Sequence, residues 1–444
     1  LFVAGSAPAA GPEYEAGVGR ADVTPPGPIW MAGYGSRNKP SEGVETPLNL
    51  KALAIRYGQG PPFLLITADI IGWPRSVSDA VAARINADHH LPRERILFNA
   101  SHTHCGPVIA GNLEGMFDLT PEQVEALRNY RKMLEDRAVT AAGAALGSMA
   151  PVRLSFGRAQ AGFAANRRVF RPNGVQFGVN PEGPTDTDVP VLRIDDAKTG
   201  AVRAVVFGYA CHCTTLGGDY YRIHADWAGH AQDALEKAFP GATALFVTGC
   251  GGDANPEPRG KVEFALPHGL ELAGAVAKAL RAPRTPVNGP ITAALEDAQL
   301  PIATPPSKEE FERKLNDRDR FVRRHAQRQL TRLERDGKLP DKQPCPVQVW
   351  RFGHDLTLVA LGGEVVVDYA RRLRRELPGE TLWVAAYAND VFAYVPTARI
   401  LMEGGYEADY NLIYYGLPNR FRNDVEDVLV GKVIELVRKA GAGR

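Results

Sequence analysis

Cysteine is scarce in this chain. There are five in 444 residues, an odd number, and no C-x-x-C pair. That excludes a disulfide scaffold and the usual cysteine-pair metal or redox motifs. The thiols read instead as small buried side chains lining strands, with one disulfide open to them if the chain is exported. An excess of one charge is also lacking: 52 Lys and Arg stand against 51 Asp and Glu, for a net charge of +1. Nothing in that balance favours nucleic acid or an anionic membrane as the main partner. No run is long and apolar enough to span a bilayer, and no internal repeat is evident. An initiator Met is missing too. Residues 1–11 (LFVAGSAPAAG) look like the end of a signal peptide's apolar region followed by small residues. Residues 1–16 are therefore read as a signal-peptide remnant or flexible N-terminus, with a tag scar as the bland alternative. The expected location is secreted or periplasmic.

What is present is ordinary globular composition, 44% hydrophobic, with length for a large core. Strand-like and helix-like segments alternate. Strands are expected at 17–23, 63–70, 95–100, 152–157, 189–194, 202–210, 244–248, 347–352, 356–361 and 383–387. Helices are expected at 76–89, 121–146 (with Thr120 as N-cap), 227–239, 270–280, 365–376 and 425–440. The alternation predicts an α/β fold: one unit over 17–444, a mixed β-sheet core flanked by helices. The charged helical excursion at about 305–340 is read as a solvated face. Asp226 is expected to N-cap the helix after it, with His224 a supporting or surface group. Asp69 is read equally as a partner of a ligating histidine or a turn residue.

The chemistry concentrates at strand ends. Ser101-His102-Thr103-His104-Cys105-Gly106-Pro107 follows the apolar run 96–100. If the strand continues, residues i and i+2 share a face, so His102 and His104 face one cavity. His212 ends a second strand in a similar setting. Gly252-Asp253-Ala254-Asn255 and Gly362-Gly363-Glu364 end two more, and 389–407 carries Tyr394 and Tyr406. Active-site groups collect where strand ends converge. Imidazole with carboxylate suits zinc with a position left for water. A single histidine is more often a hydrogen-bonded core residue, and spacing alone names neither the metal nor all its ligands.

The pattern resembles one family, the neutral, non-lysosomal ceramidases. The resemblance is spread over the chain from Gly17 to the C-terminus. It is carried by Gly17-x-Gly19-Arg20-Ala21-Asp22-Val23-Thr24 with Met31-x-Gly33-Tyr34, by His102-Thr103-His104-x-Gly106-Pro107, by His212, and by Asn389-x4-Tyr394-Val395-x-Thr397 with Tyr406-Glu407. It implies a ceramidase-like catalytic domain with Zn2+ on His102, His212, Glu364 and Tyr394. His104 would stand beside the metal as a proton-handling or substrate-binding group. Arg167, in Asn166-Arg167-Arg168, would bind a polar part of the substrate, and Tyr406 would line the pocket. Read without the resemblance, Glu364 is a helix N-terminal acid, Tyr394 and Tyr406 are interface aromatics, and Arg167 is a surface charge with Arg168 as substitute.

Two departures stand out. Where the family has G-D-V-S-P-N, this chain has Gly252-Asp253-Ala254-Asn255-Pro256-Glu257. Asn255 holds the serine's place, which excludes a covalent serine route. Metal-activated water needs no such serine, and Asn255 can still donate a hydrogen bond. The family's C-terminal β-rich domain is also expected to be absent. The resulting expectation is a zinc-dependent hydrolase that uses metal-activated water to cleave the amide bond of a ceramide-like or other N-acylated substrate, with a place in sphingolipid metabolism. Two alternatives remain open at this stage. One is the same fold acting on an acylated sugar or other carbohydrate, an ester, or a uronate-containing glycan whose carboxylate Arg167 and Arg168 would pair with. The other is a catalytically decayed lipid- or glycan-binding relative.

Overall fold

The computed structural model describes residues 14–442. The segment on which the export expectation mainly rests lies outside the described residues. The fold is mixed α/β, and its core has four layers: helices, sheet, sheet, helices. The larger sheet has nine strands. Its path runs Thr243–Thr248, Val202–Tyr209, Asp188–Asp196, Ala150–Gln160, Tyr14–Asp22, Asn49–Tyr57, Phe63–Ala68 and Ile96–Ala100, with Thr285–Val287 paired beside Ala150–Gln160. The second sheet is Ile291–Pro301, Lys342–Phe352, Leu356–Leu361 and Leu382–Ala385.

Strand Phe63–Ala68 shows why the layers form. All six residues are buried, and alternate side chains leave on opposite faces. Leu64 and Ile66 join a cluster with Val77, Val81 and Leu134 of helices Arg75–His89 and Pro121–Gly147. Phe63 and Leu65 join another with Trp350, Phe352 and Leu358 of the second sheet. A strand covered on both faces reads as a continuous apolar run. Helices Val367–Glu376 and Val425–Ala442 close the outer face of the second sheet.

The end strands of the larger sheet curl round and touch. The Thr248 amide donates to Asn99 Oδ1 at 2.9 Å, and Asn99 Nδ2 donates to the Ala386 carbonyl at 2.7 Å. The Thr248 hydroxyl donates to the Ala100 carbonyl at 2.6 Å. Single bridges pair Asn99 with Ala388 and Gly249 with Ala385. Asn99, only 1% exposed, thus ties three strand ends together beneath the region where the histidines emerge.

Several local expectations need correction. The second sheet was not separated from the first, because Ile291–Pro301 carries Glu296 and Asp297 and is only partly buried. Hairpin Ala164–Arg171 and Gly174–Asn180 was missed despite its Asn173-Gly174 turn, where Gly174 has φ +109°. Strand Ile96–Ala100 stops before the histidines. His102 lies beyond it in left-handed backbone, φ +61°, so its neighbourhood with His104 comes from a turn and not from strand alternation. Asp226 is the first residue of its helix, with Ala225 as cap. Its carboxylate holds the Trp227 and Thr215 amides. His224 is buried, and its ring nitrogen accepts from the Asp226 amide. Asp69 accepts from the Asn49 amide and Gln232, a structural role with no hydrogen bond to a histidine among the described residues. All five cysteines are free and buried.

The excursion forms two helices, Lys308–Lys314 and Arg320–Asp336. Only its outer face is solvated. His325, Ala326, Gln329 and Leu330 are buried, Arg320 donates to the Gly35 carbonyl, and Arg324 to the Met116 carbonyl, both at 2.8 Å. No helix among the described residues is long and apolar enough to cross a membrane.

The Asn99 tie makes a measurable demand. Asn99→Ala leaves a buried amide and a buried carbonyl without partners, at about 1–3 kcal/mol each. Urea unfolding should show a loss of about 2–6 kcal/mol. A loss under 1 kcal/mol would mean that the strand ends are held by other contacts.

Candidate metal centre

Two loops carry the imidazoles. Thr103 bridges Cys213 in parallel register, and the His104 amide donates to the Cys213 carbonyl at 3.3 Å, so the loops advance together. The His102 amide is held by the Ile70 carbonyl and the His212 amide by the Ala254 carbonyl, each at 3.0 Å. A non-glycine residue held at positive φ, as His102 is, stores strain of order ~1–3 kcal/mol and marks a position the surroundings over-determine. Glu364 and Tyr394 arrive on a second pair of segments. Glu364–Val365 runs parallel to Tyr394–Val395, and the register sets Glu364 directly beside Tyr394. Glu364 is therefore a strand residue before the helix that begins at Val367, and not a helix N-terminal acid. Gly252 lets the loops close: a Cβ there would lie 2.7 Å from the Glu364 carbonyl oxygen.

These side chains meet at one point. Glu364 Oε2 lies 3.1 Å from His102 Nε2 and 3.1 Å from His212 Nε2. His212 Nε2 lies 3.0 Å from the Tyr394 hydroxyl. Both rings are anchored through Nδ1, His102 on the Ile71 carbonyl at 2.5 Å and His212 on the Gly251 carbonyl at 2.8 Å. Carbonyls accept only, so each Nδ1 carries the proton and each Nε2 presents a lone pair. Two lone pairs then face a carboxylate, acceptor against acceptor. Burial and the Arg167 guanidinium push His212 down to about 4, so a second proton on that ring does not relieve its own contact near neutral pH.

Zinc fits this set. Bonds of ~2.0–2.1 Å at tetrahedral angles separate neighbouring ligand atoms by roughly 3.3 Å, and the separations here are 3.0–3.1 Å. Mixed nitrogen and oxygen donors with one carboxylate also suit zinc. His104 belongs to the same buried imidazole cluster, with ligand atoms of the three rings within 4.8 Å. Its Nε2 is 3.1 Å from that of His102. Unlike the other two, its Nδ1 has no partner, so it lacks the carbonyl anchor that fixes a ligating imidazole. Burial and the two neighbouring histidines lower its pKa well below the usual value. Gly33, at φ +91°, keeps this ring in place: a Cβ there would fall 2.3 Å from His104 Nδ1.

A second layer surrounds the centre. The Tyr415 hydroxyl donates to Glu364 Oε1 at 2.5 Å and the Tyr387 hydroxyl to Oε2 at 3.4 Å. Arg167 Nε donates to Glu407 at 2.8 Å, while Nη1 reaches His212 Nε2 at 3.2 Å and Asn255 Oδ1 at 3.3 Å. Arg168 pairs with Glu407 at 2.6 Å and Glu403 at 3.0 Å. It is an internal ion-pair partner, and the substitute role expected for it does not arise. Tyr406 packs edge-on against Tyr394, with centroids 5.3 Å apart. His104, Arg167, Asn255, Tyr394 and Tyr406 line one cavity of about 350 Å³.

The eight residues singled out from the sequence thus meet in space: His102, His212, Glu364 and Tyr394 at the centre, and His104, Arg167, Asn255 and Tyr406 around it. Sequence reasoning assigned nothing to Tyr387, Tyr415, Thr214 or Arg259, and left Glu407 without a role. Tyr406-Glu407 beside Asn166-Arg167-Arg168 was the one available hint, since two adjacent arginines on a buried strand require an acid.

The model of the family "Neutral/alkaline non-lysosomal ceramidase, N-terminal" matches residues 14–264, more than half of the chain. Neutral ceramidases of Drosophila melanogaster and Drosophila pseudoobscura pseudoobscura are each 24% identical over 240 residues, covering 51% of this chain and 32% of theirs. The match thus spans about a third of those relatives' length. A crystal structure of neutral ceramidase from Pseudomonas aeruginosa superposes with a TM-score of 0.73 at 18% identity, covering 96% of this chain and 74% of that one. A structure described as ceramidase complexed with C2 superposes at 0.74, also at 18% identity, covering 97% and 76%. The fold is shared at this level.

The Arg167–Glu407–Arg168 cluster yields a stability prediction. Glu407 is 1% exposed, and its removal strands the buried Arg167 guanidinium and leaves Arg168 with Glu403 alone. Glu407→Ala should cost about 3–5 kcal/mol in denaturant unfolding, and a loss below 1 kcal/mol would show the three charges to be independent.

Proposed function

This chain belongs to the neutral/alkaline non-lysosomal ceramidase family, and from that membership we propose that it is a zinc-dependent hydrolase cleaving the amide bond of an N-acylated, ceramide-like substrate. One observation carries the reading. His102 Nε2 and His212 Nε2 both point lone pairs at Glu364 Oε2 from 3.1 Å, beside Tyr394, an arrangement that a cation turns from repulsive to attractive.

The four ligands proposed for zinc are His102, His212, Glu364 and Tyr394. When bound, the metal supplies Lewis acidity at the carbonyl and brings water to a pKa near ~7. The protein's part is positioning and proton handling. His104 stands next to His102 with an unpartnered Nδ1 and carries a proton from the attacking water to the departing amine nitrogen. Water's oxygen forms the new bond to the carbonyl carbon, the C–N bond breaks, and a carboxylate and an amine leave. Asn255 replaces the family serine but is no nucleophile. Its Oδ1 is occupied by Thr214 and Arg167, which aims the amide NH2 at the substrate, where it can donate to the carbonyl oxygen as charge develops. Arg167, with Nη2 unpartnered, is the second donor. Tyr406 supports Tyr394 and forms the wall behind the scissile bond. The uronate reading loses the support it drew from Arg167 and Arg168, because their charges are met internally by Glu407 and Glu403.

Metal analysis of the purified protein is expected to return one zinc per chain, and a strong chelator should abolish amide hydrolysis. His102→Ala and His212→Ala should lose both metal and activity. His104→Gln should keep the metal while kcat falls by about 10²–10⁴, the usual worth of a positioned acid–base group. A His102→Ala protein with zinc content and activity intact would overturn the reading. A His104→Gln protein without zinc would move His104 into the ligand set.

A further inference from the structure

One rim of the cavity is apolar. Among the residues that line it, Phe177 is the one left largely exposed, at 58%, and so marks the mouth. It stands on the hairpin of Ala164–Arg171 and Gly174–Asn180. Pairing there sets Phe170 opposite Val175 and Arg168 opposite Phe177, so Phe170, Val175 and Phe177 share a face. Phe170 is 57% exposed, Val179 51% and Met402 75%. Segment 403–406 runs along this face and brings Met402 to its edge. Arg168 donates to Glu403 at 3.0 Å and to the Gly404 carbonyl at 2.8 Å. A Cβ on Gly405 would lie 3.0 Å from Val175, and Tyr406 packs on Phe177 with centroids 4.9 Å apart. Folding gains nothing from leaving such side chains in water, and an apolar patch of this kind marks an interaction surface.

The other rim is basic. A line of rings, Phe177, Tyr406, Tyr410, Tyr414 and Phe321, crosses from the hairpin to the charged excursion. Arg320, beside Phe321, donates to the Gly35 carbonyl at 2.8 Å, and both Gly35 and Tyr414 line the cavity. Residues 318–324 hold four Arg against one Asp. Asp319 is engaged by the Tyr410 hydroxyl and the Phe321 amide, and Arg324 pairs with Asp118. Arg318, Arg320 and Arg323 are exposed and form no ion pair among the described residues. Cations at the start of a helix oppose its dipole, so helix Arg320–Asp336 does not itself account for them. A net charge of +1 over the whole chain conceals this local excess.

We propose that this rim docks on an anionic lipid surface, with the hairpin face entering between the headgroups and the arginines of the excursion resting on their phosphates. An apolar face flanked by exposed arginines suits such a surface, because apolar burial and attraction to anionic headgroups act together. The inference rests on the ceramide-like substrate proposed above and names the surface from which it is taken. Docking at the mouth brings the cavity to the lipid without passage of alkyl chains through water. A cavity of about 350 Å³, near the lower end of the ~300–1,000 Å³ range of drug-sized ligand pockets, holds the reacting end of a long-chain lipid and leaves the rest of its chains at the apolar mouth.

The test is co-sedimentation of the full chain with phosphatidylcholine vesicles, with and without phosphatidylglycerol, in the absence of substrate. Binding is expected on the mixed vesicles, weaker on the neutral ones, and falling with added salt. Arg318→Gln and Arg323→Gln should each lower binding to the mixed vesicles about fivefold, the worth of one arginine at a charged lipid surface. Phe170→Ser and Met402→Ser should each lower binding to both vesicle types about tenfold. All four side chains are exposed, so urea unfolding should be unchanged. The four variants should turn over a water-soluble short-chain N-acyl substrate as the parent does, and a long-chain ceramide held in the mixed vesicles several-fold more slowly. No vesicle binding, equal binding to the two vesicle types, or binding untouched by the four substitutions would overturn the inference and leave the hydrolase intact. Self-association abolished by Phe170→Ser, without vesicle binding, would give the face to a second copy and overturn it equally. Vesicle binding lost in the variants, with no amide cleaved from either substrate, would support the docking surface and sink the hydrolase reading instead.

Discussion

At the heart of the molecule the Glu364 carboxylate meets the lone-pair nitrogens of His102 and His212 at 3.1 Å, a contact that repels unless positive charge lies between them. Backbone carbonyls enforce it. Ile71 and Gly251 take the Nδ1 protons and so turn both Nε2 atoms toward the acid. Tyr387 and Tyr415 hold the carboxylate from its other sides. Much of the surrounding structure can be understood as the framework that keeps these groups from relaxing apart: the left-handed backbone of His102, the Thr103–Cys213 bridge, and the paired strands of Glu364 and Tyr394.

That framework is stiff because it stands on packed strand ends. Asn99 ties the curled ends of the larger sheet to the strand that leads towards Tyr387, and both faces of the sheet are buried against helices or the second sheet. Charge is handled by the same economy one layer out. Glu407 satisfies two adjacent arginines, whereas Arg259 on the cavity wall has no ion-pair partner among the described residues.

The helix Pro121–Gly147 was legible almost to the residue, because Thr120 and Gln123 form a reciprocal capping box at the head of a long amphipathic stretch. The buried strands Phe63–Ala68 and Thr243–Thr248 were legible as short apolar runs. The hairpin Ala164–Asn180 was not, since Phe170 and Phe177 sit on it largely exposed and carry no burial pattern. Ile291–Pro301 escaped for a related reason: an edge position tolerates the charges that a central strand would not. At the site, the histidines were found for a reason that proved wrong in detail. They are neighbours through a turn, which periodicity does not describe.

By itself the sequence determined the alternation of elements, the family resemblance, and the eight side chains with the chemistry for the site. Those are local properties: apolar period, capping residues, and donor atoms in characteristic order. Only the tertiary structure decided that two sheets stack, that the charged excursion walls the cavity, that Arg167 is neutralised by Glu407, and that Arg259 is not. Each of these depends on which residues from distant segments come within a few ångströms. Pairing of charges and closure of a cavity are set by that distance, and sequence separation does not encode it.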